Sequence, residues 1–145
     1  MTLMVLDDQT NMVRGIVSGV DWAALGIEKV IPAYYVAEAK EIMEREPVDI
    51  LLCDIEMPVE NGLSFLGWVR EKGLPAECIF LTSHAEFQYA REAVRLGSFD
   101  YITQPAPYDE IRDAVERAMA KVRARREQDH YSEFGRAVGK QNLVV

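Results

Sequence analysis

Basic residues are in short supply: 16 lysines and arginines stand against 24 aspartates and glutamates, for a formal net charge of −8. Surfaces that neutralise nucleic-acid phosphates carry the opposite balance, so direct DNA or RNA contact by this segment is not expected. Cysteine is nearly absent. Cys53 and Cys78 each sit in an apolar, strand-like run, where a thiol behaves as a small buried hydrophobe. Two cysteines make no disulfide framework. The two histidines, His84 and His130, have no neighbouring cysteine, which leaves no spacing suited to zinc. His84 reads as a surface loop residue. No apolar run is long enough to span a bilayer, and Met1 to Leu6 lacks the charged flank and cleavage site of a secretory signal, so the protein reads as cytoplasmic. No glycine-rich phosphate loop is present to support a nucleotide enzyme.

What the chain does have is core-forming material. With 145 residues and 49% hydrophobic side chains it suits one domain able to fold alone. Five short apolar runs read as buried strands: Leu3 to Leu6, Lys29 to Ile31, Asp49 to Cys53, Cys78 to Thr82 and Phe99 to Ile102. Between and after them come apolar residues at helical spacing: Val13, Ile16, Val17 and Val20; Ala39, Ile42 and Met43; Leu63, Leu66 and Val69; Phe87, Ala90 and Val94; Ile111, Val115, Ala118, Met119 and Val122. Gly26, Pro47, Gly73, Pro75 and Gly97 punctuate the boundaries. Five strand–helix alternations predict an α/β fold, a doubly wound parallel sheet of five strands with five helices. Residues 1–125 form this domain. The run Arg123 to Glu127 extends the last helix as a solvated stretch, and residues 126–145 read as a linker or tail without a core-building pattern.

Sites in open parallel sheets lie beyond the carboxyl ends of the strands, where strand order reverses. Polar residues stand at those ends: Asp7 and Asp8 after the first strand, Asp54 after the third, Thr82 and Ser83 at the fourth, Thr103 and Gln104 after the fifth. Three carboxylates brought together raise one another's pKa and invite a hard divalent cation with oxygen ligands, Mg²⁺ being the natural candidate. Taken singly, each acid is equally compatible with a solvated strand end, Thr82 with an ordinary strand terminus, and Tyr101 with a half-buried strand aromatic.

The segment Asp49-Ile50-Leu51-Leu52-Cys53-Asp54-Ile55-Glu56-Met57-Pro58, followed by Asn61-Gly62, resembles the acceptor strand and loop of response-regulator receiver domains. Asp7-Asp8, Thr82 and Tyr101 match that family's other characteristic positions. Asp21-Trp22, Leu25 to Glu28 and Thr82 to Ala90 are similar to receivers joined to AraC-type helix-turn-helix domains. The resemblance implies a flavodoxin-like strand order 2-1-3-4-5, with Asp54 taking a phosphoryl group from a sensor histidine kinase. It implies Mg²⁺ held by Asp8, Asp54 and the backbone carbonyl of Glu56, with Asp7 assisting through water. Thr82 would hydrogen-bond the phosphoryl group and Tyr101 would turn as the switch aromatic. The expected output surface lies on the fourth and fifth predicted helices, facing an effector domain or a second copy, and no membrane partner is implied.

One position departs from the family. Receivers carry a lysine before the proline that follows strand five, and here Gln104 precedes Pro105. A glutamine amide donates a hydrogen bond but brings no charge, so roughly 1 kcal/mol or more of phosphoryl stabilisation is at stake. The alternative reading is a pseudo-receiver, an interaction module that works without phosphorylation. A metal-dependent aspartyl phosphatase is disfavoured because Asp7-Asp8 lacks an Asp-x-Asp spacing.

Overall fold

The five apolar runs become the strands of a single parallel sheet: β1 (Thr2–Leu6), β2 (Lys29–Ala33), β3 (Ile50–Cys53), β4 (Glu77–Thr82) and β5 (Asp100–Thr103), in the order β2-β1-β3-β4-β5. This computed structural model describes residues 1–83 and 86–144, with side chains as far as residue 130; His84 lies outside the described residues. Among them are six helices: α1 (Thr10–Gly19), α2 (Trp22–Leu25), α3 (Val36–Arg45), α4 (Gly62–Glu71), α5 (Phe87–Arg95) and α6 (Tyr108–Val144). The sheet order and strand count are those expected. The additional helix, α2, is a single turn too short to show a period. Asp21 starts it by accepting the Ala24 N–H at 3.2 Å, and Gly26, at φ +102°, ends it.

Alternation along the strands sends side chains to two separate cores. Met4, Leu6, Leu51, Cys53, Cys78 and Phe80 face α3, α4 and α5. Leu3, Val5, Ile50, Leu52, Ile79 and Leu81 face α1 and α6. The stripes read from sequence on α3, α4 and α6 are the ones that pack: Ala39, Ile42 and Met43; Leu63, Leu66 and Val69; Ile111, Val115, Ala118, Met119 and Val122 are all buried. Trp22 is a core residue whose Nε1–H donates to the Ile16 carbonyl at 3.1 Å.

Helix α5 differs from its expected face. Phe87 and Val94 are 79% and 76% exposed, and Ala93 alone of this helix is buried. Half-buried Tyr89 and Ala90 complete its inner side. Apolar spacing identified the helix but not its inward face, which is built on the small Ala93 rather than on Phe87 or Val94.

Among the described side chains the last buried residue of α6 is Val122, and the helix continues through the segment read as a tail. Two acids at the lower edge of the sheet hold this continuation. Buried Glu77 pairs with Lys121 at 3.4 Å and Arg125 at 3.0 Å. Asp49, which also accepts the Thr2 N–H at 2.8 Å, pairs with Arg126.

Candidate functional site

Strand order reverses around β1, which has β2 on one side and β3 on the other, and this opens a crevice above the β1 and β3 carboxyl ends. Leu6 pairs with Cys53, and the Asp54 N–H donates to the Leu6 carbonyl at 2.9 Å, so the residues that follow the two strands emerge side by side. Each of Asp7, Asp8 and Asp54 offers one carboxylate oxygen, and these oxygens lie within 4.8 Å of one another. The three acids singled out in the sequence are thus one cluster.

Their environments differ. Asp7 is 8% exposed, and Asp8 is exposed. Burial, assisted by the neighbouring charge of Asp8, pushes the Asp7 carboxyl up from 3.8 to about 6, although Asp7 Oδ1 accepts the Gln9 N–H at 2.9 Å. Asp54 is half-buried, with Oδ1 accepting the Ile55 N–H at 2.8 Å. Burial is the larger cause of the Asp7 rise and the adjacent Asp8 charge the smaller one, so a cation would favour ionisation of the crowded acids. Lys40, on the rim of a cavity of about 420 Å³ that Asp8 also lines, is engaged elsewhere. It pairs with Glu60 at 2.9 Å and lies 5.7 Å from the Trp68 ring. Three hard oxygen donors gathered this closely fit a divalent cation of the Mg²⁺ kind.

The loop after Asp54 is shaped by close packing. Gly62 donates its N–H to the Ile55 carbonyl at 2.8 Å. A Cβ on Gly62 would stand 2.0 Å from the Asp54 carbonyl oxygen and 2.8 Å from Cys53 Sγ, so only glycine fits beneath Asp54. Val59, fully exposed, takes φ +72°, a conformation that costs a β-branched residue about 1–2 kcal/mol. Cys53 donates its S–H to the Asp54 carbonyl at 3.2 Å. Burial pushes its thiol well above its ordinary range, in keeping with a core residue.

Thr82 is fully buried at the end of β4, and its carbonyl accepts the Gln104 N–H at 2.8 Å. Tyr101, paired with Phe80 across the strands, is half-buried against the core beneath α5. Its hydroxyl is raised by burial and then by the charge of Glu86. The Gln104–Pro105 peptide is cis. The Gln104 amide is used locally: Oε1 accepts the Ala106 N–H at 3.0 Å, and Nε2 points to Met12 Sδ at 4.0 Å. Its oxygen closes the turn of its own loop, while its amino group only faces α1.

Sequence reasoning missed one link at this site. The Tyr89 hydroxyl donates to Glu56 Oε1 at 2.6 Å, joining α5 to the loop beyond Asp54 across 33 residues of chain. Tyr89 lay inside a segment noted for its resemblance, but nothing in its spacing points to Glu56.

The arrangement has close counterparts among known proteins. Residues 3–116 match the response regulator receiver domain family. The chain belongs to that family. It is 33% identical to the receiver domain of AraT, a response regulator from Geobacillus stearothermophilus, with a TM-score of 0.78 over 86% of this chain and 97% of that one. A two-component transcriptional regulator of AraC type from Clostridium phytofermentans shares the fold at 22% identity, with a TM-score of 0.78 over 88% of this chain and 98% of that one. The transcriptional regulatory protein YesN of Bacillus subtilis is 26% identical over 83% of this chain and 33% of its own length. This receiver therefore spans about a third of that relative, and less than a fifth of the NtrC regulators it also resembles. Receiver domains are signalling domains of two-component systems and bind Mg²⁺ through acidic residues. No helix among the described residues is long and apolar enough to cross a membrane.

Proposed function

We propose that this receiver accepts a phosphoryl group on Asp54 from the phosphohistidine of a sensor kinase and passes the change to an output surface that controls transcription. The observation that carries the reading is the cluster itself: a half-buried carboxylate with one oxygen fixed by a backbone N–H, flanked by two further acids at the switch point of the sheet. In the transfer, an Asp54 oxygen bonds to phosphorus, the phosphorus–nitrogen bond breaks, and the departing imidazole nitrogen keeps the electron pair. Asp8, Asp54 and the Glu56 carbonyl would hold Mg²⁺, with Asp7 assisting through water. When bound, the ion neutralises charge on the phosphoryl oxygens. Asp54 is a phosphoacceptor, and the domain performs at most its own phosphorylation and dephosphorylation.

Thr82, buried at the head of β4, would hydrogen-bond the phosphoryl group, and Tyr101 would turn with it. The output surface is assigned to α5 and α6, the fourth and fifth helices expected from sequence. Its exposed ion pairs, Glu92 with Arg95 and Asp100 with Arg117, are suited to exchange partners with an effector domain or a second copy. Residues 126–145 serve as a linker or tail, and the compartment is the cytoplasm.

A pseudo-receiver is the second reading, favoured by the local engagement of the Gln104 amide. Phosphorylation from a small acyl-phosphate donor with Mg²⁺, followed by intact mass, separates the two. Wild type should label slowly, Gln104→Lys faster because a mobile ammonium reaches the phosphoryl oxygens, and Asp54→Asn not at all. Equal rates in wild type and Gln104→Lys refute the role of the missing charge. No labelling of either establishes the pseudo-receiver.

A further inference from the structure

Helix α5 is weakly fastened. Of its residues only Ala93 is buried, and its large apolar side chains Phe87 and Val94 point to solvent. Its other inward residues are half-buried Tyr89 and Ala90, with Tyr89 packed against the same core as Met57 and Tyr101. A helix with so little buried area takes a large part of its position from polar contacts. The contact between Tyr89 and Glu56 is short and charge-assisted, at 2.6 Å.

The other end of that contact is equally well placed. Glu56 stands two residues beyond Asp54, in a loop pinned on either side of it. Before Glu56, Ile55 is fully buried and donates its N–H to Asp54 Oδ1. After it, half-buried Met57 sits against the core, and the Gly62 N–H returns to the Ile55 carbonyl. With its neighbours fixed in this way, the backbone at Glu56 is tied to the acid cluster, and its exposed side chain reaches out from there to Tyr89. We propose that Tyr89 is a positioning residue for the acid site, its hydroxyl holding Glu56 so that the metal-facing loop and helix α5 move together. The tie gives the outer helix a direct mechanical report on whether the acid cluster holds its cation, by a route separate from Thr82 and Tyr101.

The inference rests on the Mg²⁺ site proposed above, and its test separates the two. Mg²⁺ affinity is measured by calorimetry, and hydrogen exchange of the α5 amides with and without Mg²⁺, on wild type, Tyr89→Phe, Glu56→Ala and the double variant. Tyr89→Phe should bind Mg²⁺ about fivefold more weakly, as expected for loss of one such hydrogen bond. It should also lose the Mg²⁺-dependent change in α5 exchange seen in wild type. The double variant should be no weaker than Glu56→Ala, because both single changes remove the same tie. Wild-type affinity and an unchanged α5 response in Tyr89→Phe overturn the positioning role while leaving the metal site standing, as do losses that simply add. Failure of wild type to bind Mg²⁺ removes the site and this inference with it.

Discussion

Asp7→Asn in metal-free protein tests whether the acid cluster is an electrostatic burden on the fold. The substitution removes the charge but keeps an oxygen to accept the Gln9 N–H. Asp7 is nearly buried, and its carboxyl rises from 3.8 to about 6 in the folded state. Because the folded pKa is the higher one, the native chain holds more protons than the unfolded chain between about pH 4 and 6. The stability associated with Asp7 is therefore fully present below pH 4 and is lost as the pH climbs through 6. Integrated across that window the loss is about 3 kcal/mol, and screening by solvent at the mouth of the crevice brings it to about 1–2 kcal/mol. Urea unfolding in EDTA, from pH 4 to 8, reads it directly. Asp7→Asn should match wild type near pH 4 and exceed it by about 1–2 kcal/mol at pH 7, through a higher midpoint at constant slope. Mg²⁺ should close the gap, since an ion at a hundred times its dissociation constant adds about 2.7 kcal/mol to a protein that binds it. A difference between the two proteins that is flat with pH, or an Asn variant less stable at pH 7, would refute the reasoning.

Two other expectations follow from packing. Gly62→Ala forces a methyl group against the Asp54 carbonyl, backbone that cannot swing aside. It should lower stability by about 1–3 kcal/mol and abolish the Mg²⁺-dependent rise in melting temperature, both read in thermal melts. Glu77→Ala should cost about 2–3 kcal/mol in urea unfolding, less than a wholly buried pair because Lys121 and Arg125 can turn to water. It should also speed hydrogen exchange in α6 beyond Val122; unchanged exchange there would show that the lower acids do not hold the helix.

Local pattern carried much of this receiver. Strand and helix periods along the chain predicted the α/β alternation, and polar residues at the strand ends put Asp7, Asp8, Asp54 and Thr82 on one edge, because periodicity and punctuation are properties of neighbouring residues. Register is not. Asp7 lies beside Asp54 because β1 pairs with β3 across the intervening α1, α2, β2 and α3, a choice made by packing on both sheet faces. The inward face of α5 was not legible for the same reason: Phe87 and Val94 have helical spacing, but Ala93, with half-buried Tyr89 and Ala90, is what turns inward. Gln104 could be recognised as the wrong residue for a family lysine, yet its engagement with Ala106, facing Met12, depends on how the β5–α6 loop meets α1. Nothing in the chain order relates Tyr89 to Glu56 or Arg125 to Glu77. Those pairs join residues 33 and 48 positions apart, and only the folded backbone brings such distant charges and hydroxyls within hydrogen-bonding reach.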